Sequence, residues 1–187
     1  MKKVLIVVDM QNDFIDGALG TLEAREIVPN IKKKIEEYKD LGYDIIFTRD
    51  THQENYLETT EGKNLPVKHC VKNTDGWKIS EELNTVIATH IIDKPTFGFV
   101  DWVTYLSEFN VIEGLYDNET QEIMPEKIEI VGVCSGICVA SNALILKSLY
   151  PDTEITVDAS CCACVTPDSH KAALLTMKMC QINVVGE

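Results

Sequence analysis

The chain has 187 residues, 45% of them hydrophobic and 25% charged, with a formal net charge of −13. That length suits one well-packed domain over residues 1–187, and the acidic balance disfavours nucleic acid and anionic membranes, which need clustered Lys and Arg. Seven cysteines cannot all pair within one chain, so mostly free thiols in a reducing, cytoplasmic setting are expected.

The apolar opening at residues 4–8 stops at Asp9 with no small-residue cleavage pattern after it. It reads as a strand buried on both faces of a parallel sheet, not as a signal peptide. No stretch reaches the length of a membrane span. Residues 26–41 carry Ile27, Ile31, Ile35, Tyr38 and Leu41 at helical spacing, with Gly42 as a stop. Residues 44–48 form a second strand, and Asp50 and His52 lie just past it. Residues 53–76 are polar and aperiodic, a long loop carrying Glu54, Glu58, Glu61, His69 and Cys70. Loops of that length in a compact domain are usually functional or disordered.

A short helix is expected over 79–86, a third strand over 90–93 and a helix over 99–109. Residues 110–126 read as an acidic surface insertion. A fourth strand over 128–133 leads into a helix over 139–149. A fifth strand over 154–157, a helix over 167–180 that starts at Pro167, and a final strand over 182–185 complete the chain. This alternation predicts an α/β fold: a three-layer, Rossmann-like α/β/α arrangement around six mostly parallel strands. Asp9, Asp50, Lys94 and the segment 134–138 each directly follow a predicted strand. They should therefore meet at the carboxyl edge of the sheet, where such folds bind ligands.

The segment Ile130-Val-Gly-Val-Cys-Ser-Gly-Ile-Cys-Val-Ala-Ser141 reads as strand, tight turn and helix start. A helix start offers free N–H groups and a positive dipole end, expected to lower the pKa of Cys138 and to hold an anion. Lys94 offers a cation, and Asp9 a base that can later return a proton to a leaving amine. Singly, these residues are ordinary: a buried thiol, a turn cap and a solvated charge. Together at strand ends they make a catalytic set. The run Cys161-Cys162-Ala163-Cys164 fits no zinc spacing and reads as small-residue packing near the site. His90 and His170 read as structural, and Trp77 and Trp102 as lining the pocket or an oligomer contact.

The motifs resemble those of the isochorismatase-like cysteine hydrolases, and among them the nicotinamidases. The resemblance rests on Val8-Asp-Met-Gln-Asn-Asp-Phe14, Lys94-Pro-Thr-Phe-Gly-Phe99, Val131-Gly-Val-Cys-Ser-Gly-Ile-Cys-Val139, and Thr48-Arg-Asp-Thr-His52 with Leu65-Pro-Val-Lys-His-Cys-Val71. It runs from about residue 4 to the end. It implies a triad of Asp9, Lys94 and Cys138, and a cis bond between Val133 and Cys134. It also implies an oxyanion hole from the N–H groups of Cys134 and Cys138, and the strand order 3-2-1-4-5-6. The implied reaction is hydrolysis of a small amide through a thioester, nicotinamide first. Another small amide, imide or carbamoyl compound is the alternative, and a catalytically silent thiol-redox or binding relative a third reading.

The resemblance further implies a divalent transition metal on Asp50, His52 and His69, with Glu61 as fourth ligand and Glu54 or Glu58 as alternatives. Such a set suits zinc foremost, with iron or manganese also fitting. Phe14 would flank the substrate. A small-molecule substrate, no nucleic acid, no membrane and a homo-oligomer complete the expectation. Two departures stand out: Ser135-Gly136 replaces the family's frequent Thr-Asp, and Leu65-Pro66 replaces a frequent Trp-Pro pair.

Overall fold

Alternate residues of the first strand feed two separate cores. A computed structural model describes residues 3–108 and 125–187. In it β1 (Lys3–Val8) sends Val4, Ile6 and Val8 to one face and Leu5 and Val7 to the other, all fully buried. A strand covered on both faces needs this continuous apolar run. Five more strands join it: β2 (Asp44–Asp50), β3 (His90–Lys94), β4 (Lys127–Val133), β5 (Glu154–Ala163) and β6 (Asn183–Val185). Their order is β3-β2-β1-β4-β5-β6 and every pairing is parallel. Both the six-stranded α/β architecture and the strand order agree with the sequence expectation.

The helices in chain order are α1 (Asn12–Ile15), α2 (Leu22–Glu26), α3 (Val28–Asp40), α4 (Thr60–Asn64), α5 (Trp102–Glu108), α6 (Ala140–Leu149) and α7 (Pro167–Met179). Ile31, Ile35 and Tyr38 of α3 pack over Leu5, Ile45 and Phe47. Trp102 and Leu106 of α5, Ala143 and Leu146 of α6, and Leu174 and Met177 of α7 cover the opposite face. Among the described residues no helix is long and apolar enough to cross a membrane.

Several expectations need correction. The helix expected over 26–41 is broken at Ile27, because Pro29 near the start of α3 has no N–H to continue the ladder from α2. Residues 79–86 form no helix. Two 3-10 turns, Glu81–Leu83 and Thr85–Ile87, flank Asn84, whose φ of 42° is left-handed. The helix expected over 99–109 starts at Trp102. β5 runs to Ala163 instead of stopping at residue 157, because its polar Asp158 is paired by Lys34. The Cys161–Ala163 run is therefore strand. Of the expected insertion over 110–126, residues 110–124 lie outside the described residues. Trp102 is fully buried, so it makes no oligomer contact.

The strand order reverses direction between β1 and β4, which opens a crevice at their carboxyl ends. Asp9 follows β1 there and Cys134 follows β4.

Candidate active site

Asp9 leaves β1 with a φ of 51°, a conformation that non-glycine residues rarely adopt and that turns its side chain into the crevice. Its Oδ1 accepts from Thr48 Oγ1 at 2.6 Å, and its Oδ2 lies 2.6 Å from Lys94 Nζ. Lys94, the last residue of β3, is fully buried. Its Nζ also donates to the Thr96 carbonyl at 3.2 Å and to Cys138 Sγ at 3.6 Å. Burial opposes the charge on Lys94, but Asp9, Cys138 and Asp50 outweigh it and keep the lysine protonated. Burial pushes the Asp9 carboxyl up, against the pull of Lys94.

Cys138 sits in a single turn of π-helix, Ser135–Val139, that links β4 to α6. The bond from Val133 to Cys134 is cis. Asn142 holds the turn from behind: its Nδ2 donates to the Cys138 carbonyl at 2.8 Å and its Oδ1 accepts from the Phe99 N–H and Trp102 Nε1. One buried amide thereby ties the Lys94 loop to the cysteine turn. The lowered Cys138 pKa expected from a helix start is not found. Burial and then the Asp9 carboxylate push this thiol well above its ordinary value, with Lys94 opposing. The sulfur lies inside the molecule and faces a carboxylate, and both disfavour the thiolate. Resting Cys138 is therefore a thiol beside a base.

Next to this trio, Asp50, His52, Glu61 and His69 bring one ligand atom each within 4.8 Å of one another. A parallel bridge pairs His52 with Val71, which brings His69 beside His52. Asp13 steadies the same loop by accepting from the Cys70 N–H at 2.7 Å. Gln11 clamps Asp50: its Oε1 accepts from the Asp50 N–H at 2.7 Å and its Nε2 donates to the Asp50 carbonyl at 2.9 Å. His69 Nδ1 donates to the Val67 carbonyl at 2.8 Å, which leaves Nε2 as the lone-pair atom aimed at the cluster. His52 Nε2 is buried 2.9 Å from Asp50 Oδ2, without a well-aligned hydrogen bond.

Burial works against the charge on Asp50, but His52, His69 and Lys94 hold its carboxyl well below the usual range, so it is an ionised oxygen donor. Two buried imidazoles, one of them oriented by a backbone carbonyl, converging on two carboxylates are what a divalent transition ion requires. The residues present fit one. Glu61 joins the cluster; Glu54, the rival whose contact is seen, instead pairs with Lys68.

A cavity of about 220 Å³ opens between the two groups, with Cys138, Asp50, Glu61 and His69 all on its wall. Phe14 lines it, 5.5 Å from the His69 ring, and so does Leu65. Sequence reasoning missed Thr48, Gln11, Asn142 and Phe97, the last of which also lines the cavity. Gln11 and Phe97 stood inside the quoted motifs. Thr48 opened another of those motifs, and nothing in the sequence marks Asn142 beyond its place in a predicted helix. Trp77 is off the cavity wall: its Nε1 donates to Thr51 and Arg49 stacks on its ring at 3.7 Å.

Known proteins resemble this chain over its whole length. Residues 3–186 match the isochorismatase domain. A nicotinamidase of Saccharomyces cerevisiae is 28% identical, covering 99% of this chain and 100% of its own. A nicotinamidase/pyrazinamidase of Mycobacterium tuberculosis is 24% identical, covering 98% of each. The crystal structure of a pyrazinamidase of Pyrococcus horikoshii in complex with zinc superposes with a TM-score of 0.76 at 28% identity, covering 100% of both chains.

Proposed function

Because the chain belongs to the isochorismatase family, we propose that it is a cysteine amidase that hydrolyses nicotinamide or a close aromatic carboxamide to the acid and ammonia. The observation that carries this is the shared cavity: Cys138, backed by buried Asp9 and Lys94, lines it together with Asp50, Glu61 and His69 of the four-ligand cluster. The yeast and mycobacterial relatives support the substrate class by their names.

Asp9 takes the thiol proton as Cys138 Sγ attacks the amide carbonyl, so no standing thiolate is needed. Lys94 pulls Asp9 toward its ionised form against burial and balances the charge that moves. The N–H groups of Cys134 and Cys138 receive the developing oxyanion. Asp9 then returns the proton to the leaving ammonia, a thioester remains on Cys138, and Asp9 activates the water that cleaves it. Asp50, His52, His69 and Glu61 would hold the metal, which when bound supplies an electron-pair acceptor for a pyridine nitrogen. Phe14 and Leu65 exclude water around the ring.

Steady-state ammonia release from nicotinamide tests this, with the bound ion measured by elemental analysis. Wild type should carry about one ion per chain, as such four-ligand sites do, and release ammonia. Cys138→Ala should release none. His52→Ala should lose both ion and turnover, and more turnover than Leu65→Trp changes. Aromatic stacking is worth only ~0.5–1.5 kcal/mol, so Leu65 in place of an aromatic raises KM without removing activity. No release by ion-loaded wild type, beside clear hydrolysis of an amide lacking a pyridine nitrogen, would exclude nicotinamide.

A further inference from the structure

A second pair of thiols lies in the cavity wall, and the proposed reaction has no use for their sulfurs. Cys134 follows β4 and Cys164 follows β5. These strands pair in parallel with Val133 opposite Ala163, so the next step along both sets Cys134 beside Cys164. The two sulfurs lie 3.3 Å apart, and both are free thiols lining the cavity.

Close contact alone does not make a reactive pair, but these two are polarised in opposite senses. Cys134 donates its S–H to Cys164. Burial pushes Cys164 up, but the Ser169 hydroxyl, the Cys134 thiol and the Gly136 N–H outweigh it and set this sulfur below its ordinary value. Burial and the bond to Cys164 raise Cys134 to about 12. Gly136 permits the approach: a Cβ there would stand 3.2 Å from Cys164 Sγ. One sulfur is therefore a nucleophile and the other a resolving thiol within reach, the arrangement of a redox-sensitive pair.

We infer that Cys134 and Cys164 form a peroxide-oxidisable site whose reversible disulfide slows the hydrolase. Cys164 sulfur attacks one oxygen of hydrogen peroxide and the O–O bond breaks. The departing hydroxide takes the Cys164 proton and leaves as water, and a sulfenic acid remains. Cys134 sulfur then attacks the Cys164 sulfur and the S–O bond breaks. That hydroxide takes the Cys134 proton and leaves as a second water. Two thiols are oxidised to a disulfide and one peroxide is reduced to two waters.

The bond, ~2.05 Å long, draws the sulfurs together by about 1.3 Å from their resting 3.3 Å. That pull acts on the residue whose carbonyl accepts from the Ile137 and Val139 N–H groups, and so on the turn that carries Cys138. The effect on rate rests on the amidase reading; the disulfide itself does not.

The test treats the reduced full-length protein with stoichiometric hydrogen peroxide, caps free thiols, and maps peptides by mass spectrometry without reduction. Ammonia release is followed on the same samples before oxidation, after it, and after dithiothreitol. We expect a Cys134–Cys164 cross-link, at least tenfold slower turnover, and recovery of both on reduction. Cys164→Ser and Cys134→Ser, each checked for native circular dichroism, should form no cross-link. Oxidation confined to Cys138 or to the exposed Cys180, or a cross-link with unchanged turnover, would overturn the proposal. A reduced protein that hydrolyses no amide, beside a mapped cross-link, would overturn the amidase reading and leave the thiol site standing.

Discussion

At the scale of single residues, the chemistry depends on keeping a carboxylate ionised in a place that disfavours it. Asp9 is fully buried, burial raises its pKa, and some of the groups that touch it work against that. Lys94 and Thr48 are the two that favour the charged form, Thr48 through a 2.6 Å hydrogen bond to Oδ1. A hydrogen bond to a charged group contributes ~1.5–3 kcal/mol, and ~1.4 kcal/mol is tenfold in rate. Thr48→Val should therefore lower kcat/KM for the amide at least tenfold. The same loss raises the Asp9 pKa, so the acid limb of the pH–rate profile should move to higher pH. An unmoved limb would mean that Thr48 only fills space. Asp9, Lys94 and Cys138 were legible as a candidate set because chemistry-bearing residue types stand at strand ends or in the turn that follows one. Thr48 was not, because a buried hydroxyl inside a strand looks in sequence like any β-branched strand residue.

At the scale of elements, the strands were legible and the turns between them less so. Residues 4–8 of β1 are a continuous apolar run, which only a doubly covered strand needs, and past Lys127 β4 is apolar but for Glu129. The end of β5 was missed because Asp158 and Ser160 interrupt the pattern, and only Lys34, far away in sequence, explains the aspartate. In sequence the π turn reads as a tight turn before a helix start at residue 139, since five residues are too few to show a period. Its position depends on how closely β4 approaches β1. Gly132 has a φ of 118°, and a Cβ there would stand 2.1 Å from the Val8 carbonyl oxygen. Gly132→Ala should cost on the order of 3 kcal/mol from strain and overlap combined. Gly42 is the control: its φ is 68° but nothing lies within 4 Å, so Gly42→Ala should cost only the ~1–2 kcal/mol of left-handed backbone. Urea midpoints of the two variants decide it, and equal losses would refute the close approach.

At the scale of the whole molecule, one buried ion cluster fastens α3 to the sheet, on the α3 face and apart from the reactive groups. Lys34 Nζ lies 2.6 Å from Glu129 of β4 and 2.7 Å from Asp158 of β5, and Tyr38 donates to the other Glu129 oxygen at 2.8 Å. Burial works against the charges, but Lys34 holds Asp158 below the usual carboxylate range. Its two carboxylates in turn hold Lys34 above the usual lysine range. The lowered Asp158 stabilises the fold above its unfolded pKa of ~3.9, and that contribution is lost as pH falls through the folded value. The raised Lys34 stabilises fully below ~10.4, and its contribution is lost as pH rises through its folded value. Both are complete between about pH 4 and pH 10. Lys34→Met leaves two carboxylates side by side with their main cation gone, and breaking such a buried pair costs ~3–5 kcal/mol. The deficit should be largest across that window and shrink below about pH 4, where protonation removes the repulsion. Urea unfolding of both proteins at pH 7 and pH 3 gives the comparison. A deficit as large at pH 3 as at pH 7 would show that Lys34 acts through packing of its stem and not through its charge.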